Sequence, residues 1–118
     1  MSEIKTAGYQ DLRDHIESTW AYIELRDNEG TAIVRIPVSD PRVSWTHSPG
    51  AQVLELTVTV KGSDADIPVP QTIAGSALYK VAAAGNALSE ETFTAFTIMA
   101  AEDEITIKHQ VQVPQVVG

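Results

Sequence analysis

Hydrophobic and polar residues alternate strictly in two stretches of this chain. From Gln52 to Lys61 (Q-V-L-E-L-T-V-T-V-K), Leu54, Leu56, Val58 and Val60 share one side, and Glu55, Thr57, Thr59 and Lys61 share the other. From Ile105 to Val113 (I-T-I-K-H-Q-V-Q-V), Ile105, Ile107, Val111 and Val113 oppose Thr106, Lys108, Gln110 and Gln112. Successive strand side chains point to opposite faces, so each stretch predicts a strand with one buried and one wet face. That pattern belongs to antiparallel sheets packed face to face. A parallel sheet covered on both sides carries continuous apolar runs instead. By the same parity, His109 falls on the buried face of the last strand.

Near the N-terminus the period changes. Tyr9, Leu12, Ile16 and Trp20 recur at helical spacing, with Gln10, Asp11, Arg13, Asp14 and Glu17 elsewhere around the wheel. This predicts one amphipathic helix over about residues 8–19. Thr6 is its candidate N-cap, and Asp11 lies near the positive end of the dipole. A hairpin follows: Trp20 to Arg26, a turn at Asp27-Asn28-Glu29-Gly30, and Thr31 to Ile36, ended by Pro37. Gly30 suits the left-handed position of a type I turn with a bulge. Val43 to Thr46 reads as a short strand, and Gly62 to Pro70 as the longest irregular stretch. Gln71 to Ile73 reads as a short strand. Ser76 to Ala83 is a strand by its sheet context, although alanine favours helix. Ser89-Glu90-Glu91 reads as a loop, Thr92 to Met99 as a strand and Ala101 to Glu104 as a turn. Runs of this length between turn residues predict a mainly β chain. The expected fold is an antiparallel β-sandwich of about seven to eight strands with an N-terminal helix, in one domain over residues 1–118.

Composition narrows the function classes. The chain has 118 residues, 43% hydrophobic, so it is long enough for one packed core. Its net charge is -8, and the eight Lys and Arg are scattered singly. No basic stripe tracks phosphates, so nucleic acid is not an expected partner. With no cysteine there is no disulfide, thiolate catalysis or Cys-ligated zinc. No stretch approaches the roughly 18 apolar residues of a span, so membrane insertion is not expected. M-S-E-I-K-T-A-G-Y lacks a signal-peptide pattern, which implies synthesis in the cytoplasm.

No catalytic constellation stands out, and no cofactor is expected. Asp14 and His15 are adjacent on the helix, so their side chains diverge by about 100°. His47 precedes a turn, and His109 reads as a core or interface histidine. Glu24 and Glu55 lie on strands, and paired carboxylates would need to face each other across a cleft. Asp64 and Asp66, two apart in a loop, are candidate Ca²⁺ ligands, although a solvated acidic loop is the plainer reading. Trp20, Tyr22, Trp45 and Tyr79 would form a sugar platform only if they faced outward, against the competing demand of the core. Glu55, Thr57, Thr59, Thr92 and Thr94 suggest polar outer faces. After Pro114 comes a tail with two valines, Val116 and Val117, either held by a neighbouring copy or packed on its own domain.

The string W-A-Y-I-E-L-R-D-N-E-G-T-A-I-V-R-I-P-V-S-D-P-R-V-S-W from Trp20 to Trp45 continues into L-E-L-T-V-T-V-K-G-S-D-A-D-I, and the chain closes on E-I-T-I-K-H-Q-V-Q-V-P. In these segments it resembles small structural proteins of bacteriophage and prophage tail modules. That resemblance implies a β-rich, non-enzymatic virion component associated with tail, baseplate or fibre. It implies synthesis in the bacterial cytoplasm, other virion proteins as partners, and assembly in symmetric copies. Tyr9, Leu12, Ile16, Val116 and Val117 are the candidate interface residues. The alternative is a carbohydrate- or surface-binding sandwich module, with Trp45 or Tyr79 exposed.

Overall fold

A computed structural model describes residues 4–46 and 51–113. One helix, α1 (Thr6–Thr19), precedes seven strands: β1 (Tyr22–Arg26), β2 (Ala32–Pro37), β3 (Val43–Thr46), β4 (Val53–Lys61), β5 (Gln71–Tyr79), β6 (Ser89–Ile98) and β7 (Glu104–Gln112). The strands form two antiparallel sheets. Sheet one has the order β2-β1-β5-β6, and sheet two has the order β3-β4-β7. The mainly β, sandwich-like architecture with an N-terminal helix agrees with the alternation in the sequence.

The two strictly alternating stretches pair with each other along their whole length, from Val53 opposite Gln112 to Lys61 opposite Glu104. Leu54, Leu56, Val58 and Val60 are fully buried, and Ile105, Ile107 and Val111 nearly so. They meet Ile23, Leu25, Ile36, Ile73, Leu78 and Ile98 of sheet one in a single core. Fully burying a side chain of this kind contributes about 1.5–3 kcal/mol. The wet faces carry cross-strand threonine pairs, Thr59 with Thr106 and Thr72 with Thr97, at 3.0 and 2.9 Å.

The β1–β2 turn follows its predicted chemistry. Gly30 has φ +79°, and Asp27 Oδ1 accepts from the N–H of Glu29 and Thr31 at 2.9 and 2.8 Å. A register shift follows between Leu25 and Arg26. Gly62 is required for another reason: a Cβ there would lie 2.0 Å from the carbonyl oxygen of Ala100. The turn after β4 therefore presses directly on the β6–β7 turn, where Gly62 N–H donates to Asp103 O at 2.9 Å.

Several boundaries differ from the sequence reading. Gln71–Ile73 and the strand expected from Ser76 are one element, β5, with the register shift lying between Ile73 and Gly75. That strand stops at Tyr79, and the alanine-rich residues after it form the connection to β6. Ser89-Glu90-Glu91 opens β6 instead of forming a loop, because these residues pair with Leu78, Ala77 and Ser76. The cap of α1 is Lys5 rather than Thr6, and it makes no side-chain capping bond.

On α1 the buried stripe is Tyr9, Arg13 and Ile16. Ile16 joins the core, whereas Leu12 is 44% exposed. Arg13, placed by the wheel among the polar residues, is 1% exposed. It lies four residues after Tyr9 and three before Ile16, so it shares their face. Its Nη2 donates to Val113 O at 3.0 Å, tying the helix to the exit of β7.

Candidate functional site

Among the described residues, the buried inner faces of the two sheets are apolar except around His109. His109 of β7 is 0% exposed and sits opposite Leu56. Ser76 Oγ of β5 lies 2.7 Å from His109 Nδ1. Ser89 Oγ of β6 lies 2.8 Å from His109 Nε2. Both serines belong to sheet one, so the imidazole bridges the sheets through two hydroxyls. A neutral imidazole carries one donor and one acceptor, and a hydroxyl serves as either, so the neutral ring is fully satisfied. Burial disfavours the imidazolium and pushes the His109 pKa below its ordinary value, with Glu91 pulling in the opposite direction.

Serine beside histidine invites comparison with a nucleophile and its base. That chemistry needs a third group orienting the base and an open approach for substrate. Here both ring nitrogens end on hydroxyls and the ring is sealed between the sheets. The arrangement works as a latch.

A second polar assembly covers the outer face of sheet one. The register places Glu24 opposite both Arg35 and Ala77. Glu24 Oε2 accepts from Arg26 Nε at 2.9 Å, and Oε1 accepts from Arg35 Nη2 at 2.9 Å. Arg26 also pairs with Glu90 and donates to the Tyr79 hydroxyl at 2.6 Å. The Arg35 guanidinium lies 3.5 Å from the centre of the Tyr79 ring, in cation–π contact. Its Nη1 donates to the carbonyls of Val81 and Ala84 at 3.0 and 2.8 Å, holding the β5–β6 connection down. Burial works against ionisation of Glu24, but the hydrogen bonds and charges of Arg26 and Arg35 together outweigh it. Its pKa is lowered.

The third assembly takes up the two candidate calcium ligands. Arg42 Nη1 donates to Asp64 at 3.2 Å and to Asp66 at 2.8 Å. Its Nη2 donates to Asp66 at 2.8 Å and to Asp40 at 3.0 Å. Hydrogen bonds from Arg42 hold Asp40 and Asp66 below the usual carboxylate range. The cation facing Asp64 and Asp66 is therefore a guanidinium. Among the described residues, no group of three or more metal-ligating side chains comes together.

The remaining candidates are separated or buried. Glu24 faces out from sheet one, while Glu55 lies on the wet face of sheet two beside Gln110 and Lys108. Tyr79 is 6% exposed and covered by Arg35, so it offers no sugar platform. Trp45 is half-buried against the core, and its indole Nε1 is buried without a partner among the described residues. Of the interface candidates, Tyr9 and Ile16 are buried within their own chain because they form the inward stripe of α1. Leu12 alone of the helical three is exposed. Val116, Val117 and His47 lie outside the described residues.

One opening among the described residues is the seam between β6 and β7, the edge strands of the two sheets. A groove of about 410 Å³ runs there, lined by Phe93, Phe96 and Ile107 with Glu91, Thr94, Thr106 and Lys108. Phe96 is exposed, and so is Met99 just beyond the end of β6. Ser76, Ser89, Arg26, Arg35 and Glu90 gave no signal in the linear sequence, because their roles depend on strand order. The parity of His109 was the one legible pointer to the latch. Among the described residues, no helix is long and apolar enough to cross a membrane. No family model, curated protein or solved structure matches this chain at a significant level.

Proposed function

We propose that the chain is a non-enzymatic structural component of a phage or prophage virion, associated with tail, baseplate or fibre. It acts by assembling with copies of itself and with other virion proteins, after synthesis in the bacterial cytoplasm. In this reading it does not bind nucleic acid and does not insert into a membrane. The observation that carries this reading is the way the charged and hydrogen-bonding side chains are used up. Glu24, Arg26, Arg35, Tyr79 and Glu90 satisfy one another, Arg42 holds three aspartates, and His109 holds two serines. Such groups stiffen a scaffold and leave strand edges and exposed apolar side chains as the surface that can meet a partner. The carbohydrate-binding alternative is weakened by the burial of Tyr79.

Light scattering over a concentration series tests the proposal. A discrete multiple of the 12.7 kDa chain that survives dilution supports assembly. A 12.7 kDa species at every concentration argues against homo-oligomeric assembly.

A further inference from the structure

The latch and the open seam share a residue. Glu91 follows Ser89 by two positions, so both point from the same face of β6. Glu91 Oε2 accepts from the backbone N–H of Gln110 at 2.9 Å. Gln110 lies on β7, the outer strand of sheet two, next to His109. Its N–H points away from β4 and toward β6, and Glu91 covers it. An uncovered edge N–H is a template for strand addition.

We infer that the protonation state of His109 gates this edge: neutral His109 leaves Glu91 on the Gln110 N–H, and protonated His109 draws Glu91 away and frees it. The surroundings of the ring leave Glu91 as the responding charge. On β4 the residue opposite it is Leu56, and on β1 Leu25 pairs with its partner Ser76; both are uncharged. From β5 come Ser76 and Leu78, and from β6 come Ser89 and Glu91. On its own strand, Lys108 points to the opposite face, toward Glu55 at 3.9 Å. An imidazolium makes both ring nitrogens donors, so both hydroxyls must accept and their own protons must turn elsewhere. The new positive charge then sits in the core with no carboxylate bonded to it. Coulomb attraction is strong at low dielectric, and Glu91, bonded to the amide of the residue after His109, favours the charged ring. The gate is independent of the virion reading.

Amide hydrogen exchange followed by NMR from about pH 7.5 to 5.5, corrected for intrinsic exchange, tests the gate. Protection of the Gln110 amide falls as His109 titrates, approaching about tenfold per pH unit for an opening linked to one proton. Protection of Val58, central in β4, holds. In His109→Gln the Gln110 amide keeps its protection throughout. In Glu91→Gln, which retains an acceptor but not the charge, nothing is drawn toward the imidazolium and the fall at Gln110 disappears. Flat Gln110 protection in the wild type, or the same fall in His109→Gln, overturns the inference. If His109→Gln does not fold, Glu91→Gln decides the matter, and a fall at Gln110 that persists in it overturns the inference.

Discussion

Ser76 Oγ and His109 Nδ1 lie 2.7 Å apart, although the residues are 33 positions apart in sequence and belong to different sheets. With Ser89 on the other ring nitrogen, this contact puts a satisfied polar bridge into an otherwise apolar interface. Removing one partner leaves a buried polar atom unpaired, which costs about 1–3 kcal/mol, whereas removing both leaves less exposed to that penalty. Ser76→Ala and His109→Leu should each destabilise by about that amount in urea. The double variant should lose clearly less than the sum of the singles. Strict additivity would mean that the hydroxyl and ring do not interact.

Alternation in β4 and β7 made the sandwich legible, and it placed His109 correctly on the inner face. The partners of His109 were not legible, because Ser76 and Ser89 become neighbours of the ring only once β5 and β6 are known to be adjacent. Asp64 and Asp66 drew attention as a pair, but their cation, Arg42, lies more than 20 positions upstream in another loop. Arg13 was misplaced for a different reason. Its charge outweighed its position on the Tyr9–Ile16 stripe, and only packing shows that the long side chain is covered. The continuity of β5 through Ala74 and Gly75 was hidden, because glycine ordinarily weakens a strand and here coincides with a register shift.

Glu24 is the hub of the outer-face assembly, with its side chain 8% exposed, whereas Glu90 is 62% exposed. Glu24→Gln leaves Arg26 and Arg35 without their shared charge and should cost about 3 kcal/mol, as for other broken buried pairs. Glu90→Gln should cost about 0–1 kcal/mol, as at the surface. Denaturant melts of the two variants separate these outcomes, and equal losses would contradict the ranking.

Arg42 is hydrogen-bonded to Asp40, Asp64 and Asp66 together. Arg42→Ala should destabilise by about 1 kcal/mol, with a smaller loss in high salt. Among the described residues, Asp64 and Asp66 gain no third side chain placed to ligate a metal with them, so millimolar Ca²⁺ should leave the melting temperature of both the wild type and Arg42→Ala unchanged. A rise in the wild type would restore Asp64 and Asp66 as native ligands.

Acid should act in two stages. The folded-state pKa of His109 is depressed, so its contribution to stability is present above its ordinary value of 6.5 and is lost as the pH falls below it. Glu24, Asp40 and Asp66 are likewise depressed, from 4.5, 3.8 and 3.8, so their contributions persist to lower pH and are lost below those values. Wild-type stability should decline first below about pH 6.5 and again below about pH 4.5. In His109→Gln the first decline disappears and the second remains. A first decline of equal size in that variant would assign it to other groups.

The bridge between the sheets rests on a neutral His109, and an NMR titration of its ring nitrogens tests that most directly. The predicted result is a folded protein whose His109 stays neutral below the ordinary pKa of 6.5, with both nitrogens hydrogen-bonded. Protonation of His109 at or above 6.5 with both sheets intact would contradict the account.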